Sequence, residues 1–142
     1  MPDLRARALA LLARREHSRA ELARRLAPHA EAEKVQDLLD ILISERLLSD
    51  QRYACQRAAI RGTRIGNARL KAELQAQGVD AETLATALAE CGDEEIRCRA
   101  VRAKKFGELP ADAEARARQM RFLQTRGFSL EAIRKALKGS EE

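Results

Sequence analysis

The sequence predicts an all-α chain built as an elongated tandem array of three three-helix units, and three observations point there. No stretch alternates apolar and polar residues as a half-buried strand would, whereas 3.6-residue periodicity runs almost without a break. The segment 74–84, continuing through Ala87-Leu88, recurs 49 positions later as 123–133, continuing through Ala136-Leu137. Each copy reads as helix, glycine, apolar residue, N-cap and helix, so one supersecondary unit is used more than once. Aromatics make up only 3% of the chain and Trp is absent, which leaves packing to Leu, Ile, Val and the many alanines that suit closely approaching helices. At roughly 45–50 residues per unit, the 142 residues hold three, placed at 1–48, 49–92 and 93–142.

In the first unit a helix is expected over residues 4–15, with Leu4, Ala8, Leu11 and Leu12 inward. Ser18 caps the second, in a capping box with Glu21; Leu22 and Leu26 face the core, and Pro28 ends the helix. The third begins near Glu31 and buries Val35, Leu38, Leu39, Leu42 and Ile43. The pair Leu47-Leu48 closes the unit before Ser49-Asp50 opens the next.

The second unit offers a helix over 50–61, a turn over 62–66, a helix carrying Leu70 and Leu74, and a helix over 81–90. Gly78 takes the left-handed position and Asp80 the N-cap. The third unit repeats the order over 94–106, 111–126 and 130–138, with a loop at 107–110, Gly127 as the left-handed residue and Ser129 as cap. The tail 139–142 is expected to fray.

The net charge of +5 hides segregation: +4 over residues 1–27, −3 over 28–48, +4 over 49–78, −6 over 79–95 and +6 over 96–142. Solvated helix faces produce such alternation, and so does a molecule that meets an anionic polymer with some helices only. Cys55, Cys91 and Cys98 are odd in number, form no CxxC pair and lie away from His17 and His29, so small apolar packing by reduced thiols is expected and no metal. The longest strictly apolar run, residues 8–13, falls far short of the ~20 needed to cross a bilayer, and residues 1–3 begin no secretion signal. A cytoplasmic protein without membrane contact is expected.

Catalytic signatures are missing from the sequence: it has no Gly-rich phosphate loop, HExxH or nucleophile elbow. A non-enzyme without cofactor or small-molecule substrate is expected. The acidic run Asp93-Glu94-Glu95 reads as helix capping, because carboxylates are favoured at a helix N-terminus.

The densest signal is basic. Arg57, Arg61 and Arg64 share a face if the helix continues through Gly62, with Arg52, Arg69 and Lys71 flanking them. Like charges at i, i+4 disfavour a helix by roughly 0.2–0.5 kcal/mol per pair, so such a face is either fully solvated or offered to an anion. Arg118 and Arg121 form a second basic stripe, with Arg126 less well aligned. Phe106, Phe122 and Phe128 read as core, turn or staple residues, leaving only Tyr53 among arginines. Any nucleic-acid contact is therefore expected at the backbone, salt-sensitive, weak and without sequence preference.

These elements, in this order, resemble the RecX family of bacterial regulators of the RecA recombinase over nearly the whole chain. The resemblance rests on His17-Ser18 followed by Glu21-Leu22 and Leu26; on Leu47-Leu48-Ser49-Asp50 and Arg52-Tyr53-Ala54; on Arg61, Gly66, Arg69-Leu70, Glu73-Leu74 and Gly78-Val79; and on Arg121-Phe122-Leu123 with Arg126-Gly127-Phe128. Around its central glycine the family usually has an aromatic and a proline, where this chain has Ile65 and Asn67. The chain is expected to act as a monomer, and the resemblance implies a curved array that enters the groove of a RecA–DNA filament. It further implies inhibition of ATPase, strand exchange and coprotease function, and so modulation of recombination, repair and the SOS response. Arg52, Arg57, Arg61, Arg64, Arg69, Lys71, Arg118 and Arg121 are then the expected contacts with RecA or DNA phosphates. Two other classes fit a small basic helical chain: a helix-turn-helix transcription factor, which should show a base-reading helix and usually a dimer interface, and an adaptor repeat protein indifferent to DNA.

Overall fold

The structure, a computed structural model, describes residues 3–138; the fraying expected of residues 139–142 lies outside them. Helices α1 (Leu4–Arg14), α2 (Arg19–Leu26) and α3 (Ala32–Ser44) are followed by α4 (Asp50–Arg61), α5 (Asn67–Ala76) and α6 (Ala81–Glu90), then α7 (Glu94–Phe106), α8 (Ala113–Thr125) and α9 (Leu130–Lys138). A single 3-10 turn, Ala27–His29, carries Pro28 and separates α2 from α3. No strand occurs among the described residues.

Local chemistry sets these boundaries. Ser18 Oγ accepts from the Glu21 N–H while the Glu21 carboxylate accepts from the Ser18 N–H, a complete capping box. Ser49, Asp80, Asp93, Asp112 and Ser129 accept N–H groups at the starts of α4, α6, α7, α8 and α9. Gly78 (φ +82°) and Gly127 (φ +91°) stand at corresponding left-handed positions in the two repeats. In the first unit that position is taken by the 3-10 turn, and the turn after α3 is made by Arg46 at φ +65°, the one non-glycine described residue with positive φ.

Three separate cores follow. Leu22, Leu26, Leu39 and Leu42 centre the first, Ala54, Ile65, Leu70 and Leu74 the second, and Cys98, Leu123, Ile133 and Ala136 the third. In the last two, the first and third helices pack on each other most closely; in the first, α2 lies between α1 and α3. Ile43 is a correction to the expected buried stripe: it is 41% exposed, one residue around the helix from fully buried Leu42 and at the open surface shared with Arg19, Arg46 and the start of α4. Leu47 is likewise exposed, and only Leu48 of that pair enters the core. The chain exposes 8836 Å², about a fifth more than the ~7,300 Å² expected of a compact protein of 15.8 kDa. Small cores in a row, rather than one large core, account for the excess.

The joints between cores differ. Between the second and third, main chain meets main chain: Gly66 N donates to Arg126 O at 2.8 Å and Ala68 N to Gly127 O at 3.2 Å. Arg97 donates to the carbonyls of Gly62 and Ile65 and to Asn67 Oδ1 at 2.9–3.0 Å. Glu94 Oε2 accepts from the N–H of Asn67 at 2.9 Å and of Ser129 at 3.3 Å, so one carboxylate caps two helices. Asn67 serves twice here, through a backbone N–H and a side-chain amide that a proline would lack. Between the first and second cores the bonds run through side chains: Asp50 Oδ1 accepts from Arg19 N, Gln77 Oε1 from Arg24, and Glu16 from Arg52.

Candidate nucleic-acid and partner interface

The helix that would align Arg57, Arg61 and Arg64 does not continue. It ends at Arg61, and the N–H groups of Arg64 and Ile65 turn back onto Arg61 O, because Arg97 and the Ile65 side chain hold the following turn against the protein. Instead, Glu73 on α5 gathers the central arginines. Arg61 grips it as a fork, Nε to Oε1 at 3.1 Å and Nη2 to Oε2 at 2.8 Å. Arg69 Nε lies 3.8 Å from Oε2, and Arg57 adds its charge from the neighbouring turn of α4. The hydrogen bond from Arg61, reinforced by the charges of all three arginines, holds the Glu73 carboxyl below the usual carboxylate range. Three cations around one carboxylate leave a net positive cluster whose geometry is set by Arg61 and whose spare charge is on Arg57 and Arg69.

The other candidate residues lie elsewhere. Arg52 pairs with Glu16 of the first core at 2.9 Å. Arg64 sits exposed in the turn, and Lys71 is exposed about 200° around α5 from Arg69. Arg118 and Arg121 are exposed on α8, about 60° apart. Arg126 is drawn away from them, with Cζ 4.8 Å from the centroid of the Phe122 ring, which Phe106 meets edge-on at 5.4 Å and Lys105 Nζ approaches at 5.3 Å. Tyr53 is 6% exposed and belongs to the second core, so it is no stacking platform.

Two features escaped the sequence reading. Glu73 lies 12 positions from Arg61, outside any local pattern, although its i, i+4 spacing from Arg69 was a signal. Arg97, one cation in a basic helix, proved to be the clamp on the 62–66 turn, and nothing local marks it. Among the described residues no group of His, Cys, Asp and Glu is placed to hold a metal ion, and no helix is long and apolar enough to cross a membrane.

Comparison with known proteins agrees with this architecture. The family model for the second three-helix domain of RecX matches residues 49–88, and that for the third matches residues 93–137. A protein of Chromobacterium violaceum named Regulatory protein RecX is 46% identical over 99% of this chain and 92% of its own length. One of the same name from Ralstonia pickettii is 45% identical over 99% of this chain and 89% of its own. The crystal structure of RecX from Lactobacillus salivarius superposes with a TM-score of 0.80, covering 95% of this chain and 92% of that one, at 19% identity, a likeness of fold. With its repeated three-helix units, its glycine turns and near-full-length identity to these relatives, the chain belongs to the RecX family.

Proposed function

We propose that this protein is a regulator of RecA that binds the groove of the RecA–DNA filament and inhibits it, suppressing ATPase, strand exchange and coprotease function. It thereby modulates recombination, DNA repair and the SOS response. The observation that carries this reading is the near-complete alignment with proteins named Regulatory protein RecX, joined to exposed cations on successive units. On this reading the units 1–48, 49–92 and 93–142 act as a cytoplasmic monomer that spans neighbouring filament subunits, and contact to DNA is weak and indifferent to sequence.

The contact set is Arg52, Arg57, Arg61, Arg64, Arg69, Lys71, Arg118 and Arg121. Within it Arg61 acts as an anchor, because Glu73 already occupies its fork. Arg57, Arg64 and Lys71 reach outward with no hydrogen-bonded partner among the described residues, so they are the first to meet an anion.

The test is the ATPase rate of preformed RecA filaments on single-stranded DNA, with this protein titrated below one molecule per RecA. Inhibition at such ratios supports the reading, and no effect at equimolar protein refutes it. The double charge reversal Arg57→Glu/Arg64→Glu should retain helicity and weaken inhibition at least tenfold; undiminished inhibition would remove the central face from the interface.

A further inference from the structure

A second surface lies on the first unit, away from the cluster around Glu73. Between α1 and the end of α2 runs a groove of about 540 Å³ whose floor is apolar, with Ala10 and Leu11 on it, and whose rim carries Arg7, Arg14, Arg25 and His29. Among the described residues no carboxylate lines it. That sets it apart from its surroundings, where arginines are matched: Arg5 pairs with Glu45 at 2.7 Å, Arg15 with Glu21 at 2.6 Å and Arg19 with Asp40 at 2.8 Å. Arg7, Arg14 and Arg25 make no hydrogen bond or ion pair among the described residues. One side of α1 is left uncovered here, with Ala6, Ala10 and Arg14 exposed and Arg7 and Leu11 half-buried.

We propose that this groove docks a short acidic, amphipathic helix of a protein partner. Its volume lies within the ~300–1,000 Å³ common for binding clefts. Arg7 and Arg14 are seven residues apart on α1, so they bracket about 10 Å, two helical turns of an occupant. A helix lying along the groove presents apolar residues at i, i+3 or i+4 and i+7 to Ala10 and Leu11, and acidic residues on both flanks to the two cationic rims. The apolar floor decides against a nucleic-acid backbone, which brings charge and no apolar face; a chain of glutamates meets the same objection. Charge complementarity along both rims steers the encounter and the floor sets the preference for amphipathic order. The inference does not depend on RecA, because the surface lies outside the contact set proposed above.

The test uses the full chain and fluorescence anisotropy with three labelled probes: an 18-residue peptide with leucines at i, i+4 and i+7 flanked by glutamates, a scrambled peptide of the same composition, and oligothymidylate. The amphipathic peptide should bind at least tenfold more tightly than its scramble. Arg14→Glu/Arg25→Glu should abolish that binding, and Ala10→Glu, at an exposed helical position, should do so without touching the rim. The milder Arg7→Gln/Arg25→Gln, checked for unchanged helicity, should weaken it by several-fold and guards against misfolding of the reversal. Equal affinity for the scramble, displacement of the peptide by oligothymidylate with no effect of Ala10→Glu, or no binding of any probe would each overturn the proposal.

Discussion

Replacing Gly66 with alanine should separate the second core from the third. The backbone there has φ −87° and ψ 178°, which any residue adopts, so conformation does not demand glycine. Space does. An added Cβ would sit 2.4 Å from Phe128 N and 2.5 Å from both C and O of Gly127, all backbone atoms that cannot rotate aside. Relief requires the joint to open by about 1 Å to reach ordinary van der Waals separation. Opening breaks the 2.8 Å bond from Gly66 N to Arg126 O and the 3.2 Å bond from Ala68 N to Gly127 O, and it strains the Glu94 carboxylate on Asn67 N at 2.9 Å. At about 1 kcal/mol for each neutral bond and about 1.5 kcal/mol for the charged one, the loss is about 3–4 kcal/mol.

Urea unfolding followed by helical circular dichroism reads this directly. A loss of that size moves the midpoint down by about 1.5–2 M for a slope near 2 kcal/mol/M, and a single transition should split as the third core becomes independent. Gly92→Ala is the comparison: at φ +93° with no atom within 4 Å, it carries backbone strain of about 1–2 kcal/mol and no clash. If Gly66→Ala costs no more than Gly92→Ala, and the amides of Asn67, Ala68 and Ser129 keep their protection from hydrogen exchange, close backbone approach is not what joins the units.

Three further outcomes are expected. Cys98 is fully buried and its thiol is pushed up to about 12, first by burial and then by the Glu94 charge, whereas Cys55 and Cys91 are partly exposed. Alkylation at pH 8 should therefore modify two thiols and leave Cys98 more than about a thousandfold slower until the protein unfolds, so one common rate for all three would contradict the burial. Arg46→Gly should raise stability by about 0.5–1 kcal/mol in urea unfolding, since relief of left-handed strain at φ +65° exceeds the added backbone freedom; a loss would show that the side chain contributes to the fold. His17 is buried, with Nδ1–H donating to Arg15 O at 3.0 Å, and burial lowers its pKa below the ordinary value near 6.5. The folded state thus binds fewer protons than the unfolded one, so this contribution is intact above about pH 6.5 and declines as pH falls through the folded-state value. Urea midpoints at pH 7.5 and 5.5 should differ more for the natural chain than for His17→Gln, and equal differences would refute the assignment.

Most of the fold was legible because most boundaries are local events. Ser18 with Glu21, Asp80 with Thr83 and Ser129 with Ala132 act within three residues, and Gly78 and Gly127 each end a helix by their own backbone freedom. Ile43 failed because helical periodicity marks an apolar stripe but not its width, and the width depends on how far neighbouring helices reach around α3. The central arginines were legible as composition and not as geometry. Periodicity placed Arg57, Arg61 and Arg64 on one helix face, but the chain turns after Arg61 and Glu73 intervenes from α5. Asp93-Glu94-Glu95 was legible as capping; that Glu94 caps α5 and α9 rather than its own helix is a tertiary fact.

The two joints are built differently, and on the proposed contact set this bears on which unit an anionic partner meets first. The second and third cores are held by backbone bonds, by half-buried Arg97 and by the Glu94 carboxylate, contacts that salt weakens less than an exposed ion pair. The first core is held by Arg52 on Glu16, with side chains 45% and 25% exposed, by Arg24 on Gln77, and by Arg19 N on Asp50. An exposed pair of this kind contributes about 0.2–1 kcal/mol and weakens in salt. Arg52 is also in the proposed contact set, and its guanidinium, at Nε, is already committed to Glu16. On the proposed contact set, an anion that meets Arg52 end-on through Nη1 and Nη2 leaves Glu16 on Nε, whereas one that takes the Nε edge displaces Glu16 and loosens the first joint while leaving the second intact. On the same proposal, contact at Arg57 or Arg64 carries no such cost and disturbs neither joint, so the second and third units would meet the partner first and only engagement at the Nε edge of Arg52 would release the first unit.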